Sequence, residues 1–120
     1  MVALRTQYRP TSHEELTMIS RVWHGWTKPE HAAAYEAMLR SEILPGIHRV
    51  PGFRGATLLR RRDGNEEEFV TITRFDDLDA VRAFAGEDYT RAVIAPHAAP
   101  LLLRYDERSV HYDTAFSLDD

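Results

Sequence analysis

The run from Pro51 to Phe84, PGFRGATLLRRRDGNEEEFVTITRFDDLDAVRAF, restricts this chain more than any other stretch. Two β-rich segments meet at Asp63-Gly64-Asn65, a hairpin signal, and the second segment feeds directly into a helical pattern. Below the charged tip, Leu58, Leu59, Phe69 and Val70 place apolar side chains on both parities. Successive residues of a strand point to opposite faces, so strands of this kind are buried on both sides. Two helices can cover only one face of a small sheet. Something else must cover the other.

Loop length fixes the hairpin register. A three-residue loop, Asp63-Gly64-Asn65, sets Arg60, Arg61 and Arg62 against Glu68, Glu67 and Glu66. It also opposes Leu59 to Phe69, Leu58 to Val70 and Thr57 to Thr71. Such charge and apolar pairs contribute about 0.2–1 kcal/mol each across a ladder. A two-residue loop leaves Arg60 opposite Phe69 or Leu59 opposite Glu68, so the longer loop is the expectation. The RRR/EEE tip then reads as a solvated ladder, not a nucleic-acid patch.

Strand one spans Thr17 to Trp26, with Val22 and Trp26 on one parity and Trp23 on the other. Thr27 and Glu30 form a capping-box pattern with Pro29 in the first turn, predicting a helix over 28–44 that buries Ala32, Tyr35, Leu39 and Ile43 and stops at Pro45-Gly46. Asp76 or Asp77 caps a second helix with Leu78, Val81 and Phe84 inward and Gly86 as its stop. Residues 87–103 predict a further helical turn or two, broken by Pro96 and Pro100, and residues 109–116 a last strand. The order β-α-β-β-α-β defines an α+β, ferredoxin-like domain over 17–116, a four-stranded antiparallel sheet with strand four beside strand one. Residues 1–16 read as an arm and 117–120 as a tail. Tryptophans on both parities of strand one make a second copy of the sheet the economical cover, which predicts a homodimer pairing as a dimeric α+β barrel.

Composition narrows the function classes. A net charge of −4 offers no field for nucleic acid or an anionic membrane. The absence of cysteine excludes disulfides, thiolate catalysis and Cys-ligated metal, and fits a cytoplasmic setting. No segment has the length or apolarity of a membrane span, and the first residues lack the apolar core of a signal peptide. Dinucleotide, P-loop, serine-hydrolase and zincin motifs do not occur.

The phrases VWHGWTKPEHAAAYEAML, LPGIHRVPGFRGATLLRR, FVTITRFDDLDAVRAFAGEDY and RSVHYD, between Met18 and Asp113, resemble the antibiotic-biosynthesis-monooxygenase-like family. That resemblance implies a dimeric α+β barrel and, in some members, oxidation of polyketide quinone precursors by oxygen without metal or flavin. Its haem-degrading branch uses an amide on strand one, a tryptophan ending strand three and a histidine on the second helix. Here those positions fall near Val22, Phe75 and Ala83–Ala85, so the haem pattern is missing.

The residues suggest where chemistry could sit. His24 is a candidate general base in a cavity between sheet and helices, and His111 on the last strand could lie beside it. Arg74 could neutralise a ligand anion, with a salt bridge to Asp76 or Asp77 as its structural alternative. Trp26, Tyr35, Thr57, Thr71, Phe75, Tyr89 and His97 complete the expected lining for a small apolar or aromatic molecule. Neither a cofactor nor a metal site is expected. The combined reading is a cofactor-independent, monooxygenase-like enzyme, with a non-catalytic ligand-binding or stress-response module as its alternative and haem binding through His24 or His97 as a third.

Overall fold

The protein was analysed as a computed structural model that describes residues 18–118. The expected arm and the last two residues of the tail lie outside these. β1 (Ile19–Thr27) is the β-branched and aromatic segment predicted. Thr27 stays in that strand and donates its hydroxyl to the Lys28 carbonyl at 2.9 Å, so the predicted capping box does not form. Lys28 takes the N-cap position, and α1 (Pro29–Met38) begins on Pro29, whose missing N–H costs a first turn nothing.

The helical rod does not stop at Pro45-Gly46. A π turn (Leu39–Ile43) leads into α2 (Leu44–Ile47). The Leu44 N–H reaches back five residues to the Leu39 carbonyl. In a regular α-helix a proline ring clashes with the carbonyl four residues back and offers it no donor. The wider turn just before Pro45 relaxes both demands, and the rod continues through it.

β2 (Phe53–Asp63) and β3 (Glu66–Phe75) form the hairpin, and α3 (Leu78–Ala85) follows with the Asp77 carboxylate accepting the Ala80 N–H at 2.9 Å. Gly86, at φ 91°, ends α3 as predicted. Residues 87–98 are irregular where helix was expected. They are held instead by backbone bonds from Ala92 N–H to the Glu107 carbonyl (2.9 Å) and from Ser109 N–H to the Thr90 carbonyl (2.6 Å). One 3₁₀ turn (Ala99–Leu101) leads into β4 (Leu102–Tyr105), which the sequence did not suggest, and the last strand shortens to β5 (Val110–Asp113).

The antiparallel sheet is ordered β2-β3-β1, and β1 shares its other edge between two short strands. β5 pairs with Ile19–Val22 and β4 with Gly25–Thr27. The ferredoxin-like order therefore holds, with its fourth position built from two pieces.

The hairpin register differs from the expected one by a residue. Asp63 pairs with Glu66, Arg62 with Glu67, Arg61 with Glu68 and Arg60 with Phe69, across a two-residue loop, Gly64-Asn65. Gly64 has φ 64°, the positive value a two-residue hairpin needs at its first position. Arg60 tolerates Phe69 because its guanidinium lies 5.4 Å from that ring while bonding Glu67 (2.9 Å) and Glu36 of α1 (2.6 Å). The tip is also less solvated than expected, since Glu67 is 5% exposed.

Alternation sorts the sheet into two faces. Ile19, Arg21, Trp23, Phe69, Thr71 and Phe75 share the face beneath the helices, where Phe69 and Phe75 are wholly buried. Val22, His24, Trp26, Leu59, Val70 and Ile72 share the other. No element among the described residues packs over that second face, and Leu59, Val110 and Tyr112 stand 48%, 50% and 56% exposed.

Candidate functional site

A cavity of about 570 Å³ lies between the covered sheet face and the helical rod. β1 contributes Arg21 and Trp23 to it, and β3 contributes Thr71 and Thr73. The rod supplies Tyr35, Leu39, Ile43 and Ile47, and α3 supplies Phe84. Residues 93–98, with Val50 and Ser109, form the rest of the wall. Most of this surface is apolar, with few polar groups, the composition of a small-molecule site.

Trp23 owes its position to Gly25. A Cβ there would stand 2.7 Å from the Trp23 ring, so only glycine lets the indole lie down along its own strand. The indole Nε1 donates to the Asp106 carbonyl at 2.8 Å, which fixes the ring.

Arg21 is the most unusual group in the site. It is 4% exposed, and no carboxylate among the described residues pairs with it. Its Nη1 donates to the Tyr89 carbonyl and lies 3.1 Å from His111 Nε2, and its Nη2 donates to the Arg91 carbonyl at 2.9 Å. Burial lowers its pKa to about 10, so it is still charged at neutral pH. Burial, then the nearby Arg21 charge, holds the His111 imidazole below the usual histidine range. That neutral ring can accept from Arg21 but cannot balance its charge.

The remaining polar groups are neutral or sit at the rim. Tyr35 is 2% exposed, and burial pushes its phenol well above its ordinary value, keeping it protonated. The Thr71 and Ser109 hydroxyl oxygens are buried without a hydrogen-bond partner among the described residues. His97 Nε2 meets Glu42 Oε1 at 2.9 Å, joining the 93–98 segment to the π turn.

Of the residues singled out from sequence, Tyr35, Thr71 and His97 line this cavity. Phe75 lies on the same face, inside the adjoining core against Phe53 and Phe84. Tyr89 and His111 stand behind the cavity as partners of Arg21, their rings 5.2 Å apart. His111 pairs in register with Arg21 and not beside His24.

His24, Trp26, Thr57 and Arg74 lie on the open face, so His24 does not reach the sheet–helix cavity expected for it. There His24 Nδ1 bonds Asp106 Oδ2 at 2.7 Å, and Arg104 lies 4.4 Å from the Trp26 ring. Arg74 donates to Thr57 Oγ1 at 3.2 Å; its expected ion pair with Asp76 or Asp77 is not formed, because Arg54 engages Asp76 and Asp77 caps α3. Arg21 and Ser109 were not anticipated. The available signal was Gly25, which shares the Arg21 and Trp23 parity and marks the crowded face. Among the described residues no cluster of histidine and carboxylate side chains is placed to hold a metal, and no helix is long and apolar enough to cross a membrane.

The fold is thus an α+β sheet with a half-open, largely apolar cavity on its helix side. Residues 18–96 match the antibiotic biosynthesis monooxygenase family, and the chain belongs to it. Among solved structures, it is similar to SnoaB, a cofactor-independent oxygenase from Streptomyces nogalater, at 26% identity and a TM-score of 0.60, covering 86% of this chain and 98% of that one. It is also similar to the ActVA-Orf6 monooxygenase of Streptomyces coelicolor, solved with nanaomycin D, at 15% identity and a TM-score of 0.62, covering 88% and 94%. A Bacillus cereus structure described as a putative antibiotic biosynthesis monooxygenase has 16% identity and a TM-score of 0.62, covering 87% and 99%. No curated protein sequence matches the chain.

Proposed function

We propose that the protein is a cofactor-independent, monooxygenase-like enzyme that oxidises a small aromatic or polycyclic substrate in this cavity, working as a homodimer. The observation that carries the reading is the cavity itself, about 570 Å³ with aliphatic and aromatic walls and few polar groups. The family and the likeness to SnoaB support the reaction class. In such chemistry a methylene between aromatic rings loses a proton, and its carbanion passes electrons to dioxygen. A C–O bond forms, and the peroxide breaks down to a carbonyl and one water. The substrate supplies the electrons, so the protein need only bind it, ionise it and steady the anion. His97, lining the cavity and held by Glu42, is suited to taking the proton. The open face, with Leu59 and Val110 about half exposed, supports the homodimer, which would bury His24 and Trp26 at the subunit interface.

Oxygen uptake with anthrone-type substrates tests the reading. His97→Gln should lower turnover about a hundredfold, while His24→Gln leaves it near wild type. The reverse order would move the chemistry to the open face. Ligand binding without oxygen uptake for any such substrate would make the protein a binding module, and a Soret band on haem addition would favour the haem reading.

A further inference from the structure

Arg21, Ser109 and Thr71 are polar groups in the largely apolar lining of the cavity. All three line the cavity, with Arg21 opposite Thr73 in the register and Thr71 opposite Trp23. Arg21 and Trp23 are two residues apart on β1, and Ser109 immediately precedes Val110, which pairs with Val22. A guanidinium has five N–H donors. Three interactions with Tyr89, Arg91 and His111 leave two of them unused among the described residues. Ser109 is 6% exposed and Arg21 4%, yet among the described residues the serine hydroxyl has no partner and the arginine no counter-ion. Buried charges are ordinarily paired, and a buried polar group without a partner costs about 1–3 kcal/mol. The half-exposed Arg108, by contrast, pairs with the Asp88 carboxylate at 2.8 Å.

We propose that the cavity binds its ligand as an anion, an ionised hydroxyaromatic or aromatic acid, with the negative oxygen on Arg21 and the Ser109 and Thr71 hydroxyls donating to oxygens of the same molecule. The proposal deepens the oxygenase reading and rests on the same cavity, but it does not depend on turnover. Arg21 and the two hydroxyls determine specificity. They select ring systems bearing acidic oxygens over equally apolar neutral ones, and the aliphatic walls take the carbocycle. His111 positions the guanidinium from behind.

The sign of the effect makes the proposal testable. Apolar burial alone disfavours the charged form and raises the ionisation pH of a bound phenol. Arg21 must lower it. The probe is alizarin, a hydroxyanthraquinone whose visible spectrum reports ionisation of its ring hydroxyl, titrated from pH 4 to 9 with and without excess full-length protein. We expect the bound dye to ionise at least one pH unit below the free dye, about a tenfold preference for the anion. Arg21→Met should abolish the shift, Arg21→Lys should keep part of it, and Ser109→Ala should weaken binding about fivefold while preserving the shift. An unchanged or raised ionisation pH in the wild-type protein, or no binding at millimolar dye, overturns the proposal, and neither result depends on whether a variant folds. A lowered ionisation pH without oxygen uptake from any substrate would leave the anion site standing and remove the oxygenase reading.

Discussion

Replacing Thr71 by valine separates what the fold needs from what the cavity needs. The Thr71 hydroxyl oxygen is buried without a partner among the described residues, and its replacement leaves a methyl of nearly equal volume on another β-branched residue. A buried hydroxyl without a bond costs about 1–3 kcal/mol, so the variant should gain about 1 kcal/mol in the ligand-free protein. With an unfolding entropy of about 2 cal/mol/K per residue over about 100 ordered residues, that gain raises the melting temperature by about 5 °C. Ligand reverses the advantage. At a concentration 100 times its Kd, a ligand stabilises the wild type by about 2.7 kcal/mol, whereas fivefold weaker binding gives the variant about 1.8 kcal/mol. The two melts should then nearly coincide. Differential scanning calorimetry at pH 8, with and without alizarin, measures both. A ligand-free Thr71→Val protein that melts below the wild type would refute the reasoning, because it would mean the hydroxyl already makes a stabilising bond.

Two further outcomes follow from other parts of the molecule. His111 is held neutral by burial and by Arg21, so below the ordinary histidine pKa of about 6.5 the unfolded chain binds more protons than the folded one. Stability is therefore present above that pH and falls as the pH drops toward the folded value, and melting curves from pH 7.5 to 5.5 should decline less for His111→Gln than for the wild type; equal slopes would show that His111 is not the group responsible. Leu59, half exposed on the open face opposite Val70, should lie within the dimer contact. Light scattering at micromolar concentration should give a dimer for the wild type and a monomer for Leu59→Arg, and a monomeric wild type would refute the homodimer.

Much of the architecture was legible because local signals agreed with one another. Asp77, one of the two caps the sequence offers, Gly86 as a stop and the β-α-β-β-α order all appear in the structure, with two short strands where one is read. The hairpin register was misread by weighing opposite charges above turn chemistry. Gly64-Asn65 is itself a two-residue loop signal, and the shift moves Arg61 to Glu68 and Arg62 to Glu67, preserving opposite charges, while Arg60 gains an aromatic ring. The site was harder to read for a different reason. Both parities of β1 carry a tryptophan, so periodicity could not say which side faces the helices. His24 and Arg21 are three residues apart and end on opposite sides of one strand. Arg21 carried no signal of its own, since an arginine in a strand ordinarily reads as solvent-facing, and its burial depends on carbonyls at Tyr89 and Arg91, 68 and 70 residues away.

The π turn has a consequence for how this chain tolerates changes in length. It holds one residue more than an α turn would, so it is in effect an insertion absorbed by a helix without breaking it. Each residue of an α-helix advances about 100°, and the wider turn takes up that extra residue so that everything downstream keeps the phase of α1. With it, Leu39, Ile43 and Ile47 all present themselves to the cavity. Deleting Ser41 would let the rod close into a regular α-helix with Leu44 and Ile47 nearly in their present phase relative to α1, because five residues of a π turn sweep about the same angle as four of an α-helix. It would also return Pro45 to a position where its ring collides with the preceding turn. A one-residue deletion here therefore leaves that wall of the cavity in phase, whereas the same deletion in the 87–98 segment would displace the Tyr89 and Arg91 carbonyls that hold Arg21 and the wall formed by residues 93–98.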